Sequence, residues 1–370
     1  MGEKYHTLEE RMKILADGTK YDSCNSTTTC HTFTPDGRCI QLYKTLMTNS
    51  CSGECLYCPN RCGREATRAS LSPDEIVKIT WDFYRRNAIE GLFLSSGVIG
   101  DPELTTERQL DVLRTLRGSG FNGYVHVRLM PGVPRDMIRE VSLLANKFGV
   151  NAETTCQSRY DEICPNFDYR NDILRRMEWT YGAVRQRRSE VRYGEGIIGA
   201  NDTQFVVGAT GEPDSEIIDT IGRFMDSYGL RRPFFMSFDP VPDTPLSGNK
   251  ASPLWREARL YQTSYLLKDY GLKPRDLETV LDDRGFLPDD DPKLVLARLN
   301  RDAFPVDVNL STYSELIRVP GIGPRTANRI VRCRPVLSYV QLASMGVVMK
   351  RARPFIKLGN SRQTDLEAFV

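Results

Sequence analysis

Short β-rich runs alternating with longer helical ones constrain this chain most. Runs at 40–48, 92–98, 124–130, 150–154, 204–209 and 233–238 are apolar and rich in β-branched residues. Helix starts lie between them. In Ser-Pro-Asp-Glu at 72–75, Ser72 is an N-cap, Pro73 takes the first helical position and Glu75 closes a capping box. Similar starts are expected at Pro134 and Pro213, and 166–190 reads as one long charged helix. Six strands, each followed by a helix or loop, imply parallel βαβ units. Six units are too few for a closed eight-stranded barrel. The expected fold is therefore α/β: a partial, open (β/α)6 barrel with its chemistry at the carboxyl ends of the strands.

Beyond residue 250 the pattern changes. Residues 252–271 read as an amphipathic helix, with Leu254, Trp255, Ala258, Leu260, Tyr261, Tyr265 and Leu266 expected on its buried face. Residues 282–292 have linker composition, and short helices are expected at 293–300, 311–318, 324–333 and 338–345. The expected domains are an N-terminal extension (1–38), the barrel (39–250), a helical extension with linker (251–292) and a small all-helical module (293–370). The net charge of +2 is unevenly spread: residues 305–357 carry about +7 and the rest about −5. A basic tail on an acidic body points to an anionic partner for the tail, against the alternative of a solvated basic face.

No apolar run approaches the ~18 residues of a membrane span. The charged start, M-G-E-K-Y-H-T-L-E-E-R-M-K, lacks the apolar core of a secretory signal. The expected location is cytoplasmic. The ten cysteines then point to metal or catalysis rather than a disulfide framework.

Four of them stand in N-S-C-S-G-E-C-L-Y-C-P-N-R-C at 49–62, just past the first strand. Cys51, Cys55 and Cys58 supply three thiolates from one tight loop. Three thiolates can hold three irons of a 4Fe-4S cube and leave the fourth open to a substrate. With Cys62 added, a closed four-thiolate zinc site is the alternative. Cys24, Cys30 and Cys39 are candidates for an auxiliary cluster, with Cys62 as a further sulfur. A second feature is R-V-P-G-I-G-P-R-T-A-N-R-I-V at 318–331. Val319, Ile322, Ala327, Ile330 and Val331 read as apolar anchors and a helix face. Gly321 and Gly323 flank the turn, Pro324 opens the next helix, and Arg325, Arg329 and Arg332 stand nearby. Backbone N–H groups at such a turn suit an anion. Residues 338–348 look like a degenerate second copy.

The cysteine spacing, with Tyr57 before the third thiol, resembles the radical S-adenosylmethionine (SAM) superfamily, whose signature is C-x3-C-x-aromatic-C. That resemblance implies SAM on the open iron and its reductive cleavage to a 5′-deoxyadenosyl radical. It also implies SAM contacts from Ser95, Ser96 and Gly97, from Glu153, from Gly208 and from Ser237 at successive strand ends. The tail resembles a helix-hairpin-helix, which implies a nucleic-acid contact at Gly321, Gly323, Arg325 and Arg329. Together with C-H-T-F-T-P-D-G-R-C at 30–39 and residues 83–98, most of the chain resembles the radical SAM family described as DNA modification or repair proteins with a helix-hairpin-helix tail. The implied function is nucleic-acid modification or repair, with ferredoxin or flavodoxin as electron donor. An alternative retains the radical chemistry as a cobalamin-dependent C-methyltransferase acting on a protein; three histidines suffice, because a base-off corrinoid needs none. A third reading, from another class, is a non-catalytic nucleic-acid binder with a structural metal.

Overall fold

The computed structural model describes residues 6–19, 28–34, 38–191, 197 and 199–359. Cys24 and most of 192–200 therefore lie outside the described residues. The chain divides into two compact units, Met1–Glu212 with Arg223–Glu257, and Pro213–Gly222 with Ala258–Val370.

In the first unit, α1 (Leu8–Asp17) precedes a seven-stranded sheet whose spatial order is its chain order: β1 (Thr29–Phe33), β2 (Cys39–Leu46), β3 (Gly91–Ser95), β4 (Tyr124–Leu129), β5 (Lys147–Val150), β6 (Ala200–Val207) and β7 (Arg232–Ser237). From β2 to β7 every pairing is parallel, while β1 runs antiparallel on the edge of β2. This is the six-unit open half-barrel the alternation implies, with one further edge strand. Residues of β3, β4 and β5 are buried on both faces, as expected for parallel strands flanked by crossovers. Helices α2 (Pro73–Arg85), α3 (Pro102–Gly118) and α4 (Arg135–Leu144) supply the crossovers after β2, β3 and β4. A short α5 (Gln157–Asp161) and α6 (Arg175–Glu190) follow β5, and α7 (Asp214–Tyr228) follows β6. The apolar core between sheet and helices includes Leu46, Ile76, Leu92, Leu110, Val127, Ile138 and Phe148.

Local chemistry explains where the elements begin. Ser72 and Glu75 form the capping box with Pro73 in the first turn of α2. At 134 the proline is the N-cap itself, so α4 starts one residue later than expected. Residues 166–190 are not one α-helix, because Tyr169–Leu174 forms a π turn before α6. The fourth expected strand is displaced toward the N-terminus. It covers Lys147–Val150, because Glu153 turns the chain out of the strand with φ of 61°.

The second unit continues from α8 (Leu254–Tyr270) through α9 (Pro292–Leu299), α10 (Tyr313–Leu316), α11 (Pro324–Arg332), α12 (Tyr339–Ser344) and α13 (Met349–Ala352). The buried stripe of α8 is rotated from the expected one. Leu260 and Leu266 are buried as expected, but Leu254, Ala258 and Tyr265 are exposed, and Arg256, Thr263, Ser264 and Leu267 join the buried stripe. An apolar-only reading missed the polar members of that stripe. Pairs α10–α11 and α12–α13 are consecutive helical hairpins. Their turns carry Gly321 and Gly346 at φ of 86° and 94°, each followed by a buried anchor, Ile322 and Val347. Val319, Ala327 and Ile330 are buried as expected, but Val331 is exposed. No helix among the described residues is long and apolar enough to cross a membrane.

Candidate functional site

The cysteine loop leaves β2 at its carboxyl end and is fastened from several directions. Thr48 bridges Ser70, and the Asn49 side chain closes the base against Thr67 and Ala69. The Arg68 guanidinium donates to the carbonyls of Asn49, Asn60, Arg61 and Arg64, gathering both ends of the loop. Across the sheet, Ser52 N–H donates to the Val98 carbonyl at 2.9 Å. From the segment after α5, the Ile163 carbonyl accepts from Leu56 N–H at 2.7 Å, and the Asn166 side-chain oxygen accepts from Glu54 N–H at 2.9 Å.

Cys51, Cys55 and Cys58 are free thiols, each partly exposed. Val98 N–H and Gly53 N–H donate to Cys51 Sγ at 3.2 and 3.3 Å, and Asn60 N–H donates to Cys58 Sγ at 3.4 Å. Such donors suit a thiolate. Burial pushes the Cys51 thiol up while those N–H groups pull it down, and burial with the neighbouring Cys55 pushes Cys58 up strongly. Bare, the Cys51 and Cys58 sulfurs favour protonation; a cationic metal group would take them as thiolates. Among the described residues no three His, Cys, Asp or Glu side chains gather as a ready-made site for one metal ion. A cube of irons needs no such convergence, because it spreads its ligands over separate irons. The three-thiol set, its N–H donors and its partial exposure therefore fit a 4Fe-4S cluster. Cys62 is exposed, and its N–H closes the loop on the Gly53 carbonyl. Cys30 is buried on β1 and Cys39 is exposed at the start of β2.

Tyr57 and Glu153 come together beside the thiols. Burial first, then the Glu153 carboxylate and the cysteines, pushes the Tyr57 phenol well up. Glu153 is held in its left-handed conformation by backbone bonds to Gln204 O and Val206 N, each at 2.8 Å. A non-glycine residue in that region stores strain, and such strain collects at functional sites. Ser95 ends β3, and the Ser96 hydroxyl donates to the Gly97 carbonyl. Gly97 has a plain packing reason: a Cβ there would stand 2.7 Å from the Ser50 carbonyl oxygen and 3.0 Å from Cys51 Cβ. Gly208 has φ of 89°, and its N–H is taken by Glu212. Ser237 N–H is taken by Glu257. Both amides at the β6 and β7 ends thus have internal partners.

Beneath this rim lies a buried polar row that sequence reading missed. Strand register aligns Lys44, Phe93, His126 and Lys147 across β2 to β5. Asp202 on β6 lies 2.7 Å from His126 Nε2 and pairs with Arg128 at 2.9 Å. Gly149 leaves room for it, since a Cβ there would overlap the Asp202 backbone. Burial opposes the Asp202 charge, yet Arg128, His126 and Lys147 hold its carboxyl well below the usual range. Burial lowers His126 to about 4 and Lys147 to about 8. His126 stacks on Phe93 at 4.2 Å, and the Lys147 ammonium lies 5.1 Å from the Phe234 ring centre.

Sequence reading also missed Cys164, Arg68 and Asn166. One signal was there: the tripeptide Cys-Pro-Asn occurs at 58–60 and again at 164–166. Cys164 is buried, and its sulfur is 3.4 Å from Cys55 Sγ.

In the second unit, the turn between α10 and α11 opens onto a cavity of about 480 Å³. Gly321, Ile322, Gly323 and Pro324 line it, with Lys293 and Arg351. The Lys293 ammonium donates to the Ile322 carbonyl at 2.6 Å, and burial lowers it to about 7. Arg351 pairs with Asp291 at 2.5 Å. Arg325 is exposed, whereas the Arg329 guanidinium reaches back to the Met345 carbonyl at 2.8 Å.

No known family and no curated protein matches the chain. Among solved structures it is similar to the FeFe-hydrogenase maturase HydG from Carboxydothermus hydrogenoformans (13% identity, 82% of this chain and 75% of that one, TM-score 0.47). It is also similar to methylornithine synthase PylB (16%, 71% and 70%, TM-score 0.47) and to the cobalamin-dependent radical enzyme OxsB (13%, 79% and 45%, TM-score 0.37). In a second HydG structure the chain spans about half (48%) of the matched protein. Similarities this low assign neither a family nor an activity.

Proposed function

We propose that this chain is a radical SAM enzyme that modifies a macromolecule, with nucleic acid as the substrate class. One observation carries the reading: the loop holding Cys51, Cys55 and Cys58 stands at the carboxyl end of the first parallel strand of an open six-unit βα sheet. When bound, a 4Fe-4S cluster and SAM supply reductive cleavage to a 5′-deoxyadenosyl radical that abstracts a substrate hydrogen.

The chain's own residues do the rest. Cys51, Cys55 and Cys58 hold the cluster, and the Val98, Gly53 and Asn60 N–H groups balance charge on the sulfurs. Arg68 fixes the loop so that the thiols need little reorganisation. Tyr57 and Glu153 wall the site, with Ser95, Ser96 and Gly97 at the adjoining strand end. The buried row with Asp202, His126, Arg128 and Lys147 gives the sheet a rigid polar floor.

The nucleic-acid assignment rests on the second unit. Glycine-rich backbone opens at the start of α11 beside Lys293 and Arg351, and Arg325, Arg332 and Lys350 are exposed elsewhere on the same unit. That chemistry suits phosphate without reading bases. Anaerobic reconstitution followed by assay for 5′-deoxyadenosine and S-adenosylhomocysteine tests the radical reading. 5′-Deoxyadenosine is the expected product; S-adenosylhomocysteine would add methyl transfer. Zinc uptake without SAM cleavage would contradict it. Salt-sensitive binding of labelled DNA or RNA tests the substrate class, and no binding at low salt would remove it.

A further inference from the structure

A fourth cysteine, Cys164, reaches the candidate cluster loop, at Cys55. It arrives from the segment after α5, where its N–H donates to the Tyr160 carbonyl at 2.7 Å. That segment braces the cluster loop at three points: Ile163 to Leu56, Asn166 to Glu54, and Cys164 Sγ to Cys55 Sγ. The Tyr160 hydroxyl also lies against the Cys164 sulfur. Cys164 is 1% exposed, whereas Cys51, Cys55 and Cys58 are each partly open.

A sulfur placed this way could be a ligand or a hydrogen-bond donor. Its distance decides. Two sulfurs on one tetrahedral metal, each about 2.3 Å from it, stand roughly 3.8 Å apart. Thiolates on separate irons of a cube stand farther apart still. At 3.4 Å, Cys164 Sγ is closer to Cys55 Sγ than either arrangement allows, and within reach of an S–H···S bond.

We infer that Cys164 is a positioning residue whose thiol donates its proton in a hydrogen bond to the Cys55 sulfur once that sulfur is a cluster thiolate. Cys55 has then lost its proton, so Cys164 is the partner with one to give. The bond becomes charge-assisted and shortens the reach between the two chain segments. Hydrogen bonds to cluster sulfurs stabilise the more negative, reduced form and so raise the reduction potential. The inference rests on the cluster reading, and it adds a residue that sets how readily the cluster takes up an electron.

The test compares reconstituted wild type with C164A and C164S. Iron and sulfide content is measured first, then the midpoint potential by redox titration followed by electron paramagnetic resonance. Equal iron content is expected in all three. The potential should move to a more negative value in C164A and stay near wild type in C164S, whose hydroxyl still donates. In deuterated buffer, wild type should show one exchangeable deuteron coupled to the reduced cluster beyond those of the Val98, Gly53 and Asn60 amides, and C164A should lack that one. An unchanged potential in C164A overturns the inference. So does loss of iron in C164A, which would make Cys164 a ligand. A wild-type chain that assembles no iron–sulfur cluster overturns the cluster reading itself before any variant is compared.

Discussion

The two loops that carry the candidate chemistry are held by opposite means. The cysteine loop is closed on itself by Cys62 N–H to the Gly53 carbonyl and is fixed from outside by Arg68, Val98, Ile163 and Asn166. The turn between α10 and α11 is fixed from beneath, by buried Val319 and Ile322 and by a glycine in the left-handed region. The first arrangement leaves side chains free to bind something soft and charged. The second presents backbone at a helix start, with its Gly321 and Ile322 carbonyls already taken by Val348 N–H and Lys293, and spends its side chains on anchoring. On the proposed function, the first loop takes the cofactor and the second meets a polar, charged partner.

The largest expected effect breaks the comparison on the cysteine side. C55A should abolish 5′-deoxyadenosine formation and the cluster absorbance, while nucleic-acid binding by the tail persists. Parallel loss of both would mean the loops are not separable in function.

Next comes the floor beneath the cysteine loop. His126 is 3% exposed and lowered from 6.5 to about 4, so its buried neutral form is favoured. Its folded value lies below its unfolded one. The unfolded chain therefore gains a proton first, and stability falls as pH drops from about 6.5 to about 4. At 1.36 kcal/mol per unit this costs about 3 kcal/mol. Denaturant melts of wild type should show that loss, and H126Q should flatten it. A wild type equally stable at both ends of that window would contradict the assignment.

On the hairpin side, G321A should destabilise the second unit by about 1–3 kcal/mol. The residue has φ of 86°, and a Cβ would stand 2.6 Å from the Val348 carbonyl. Thermal melts read the loss, and cluster absorbance should be unchanged. The smallest effect is expected from R332A, an exposed residue on α11. It should weaken oligonucleotide binding a few-fold across sequences and reduce the salt slope by about one.

Much of this was legible in the chain. The βα alternation reported the six parallel strands, because each unit carries its own hydrophobic period and start signal. The thiol spacing reported its loop, because its residues are adjacent in sequence. What remained hidden was assembled at long range. Asp202 meets Arg128 from 74 residues away, and Cys164 meets Cys55 from 109. Neither pairing has a local period. The strand before Glu153 was misplaced for a related reason: a left-handed glutamate is a tertiary choice, held by β6, that no local propensity announces. Leu254 and Tyr265 misled because apolar residues were counted while buried Arg256 and Thr263 were not.

The central claim is that Cys51, Cys55 and Cys58 hold a cluster with one iron left open. The most direct measurement is iron and sulfide content of the anaerobically reconstituted chain, with paramagnetic resonance of its reduced form before and after SAM is added. About four irons per chain and a spectrum altered by SAM are expected. Stoichiometric zinc, or a cluster whose spectrum ignores SAM, would contradict it.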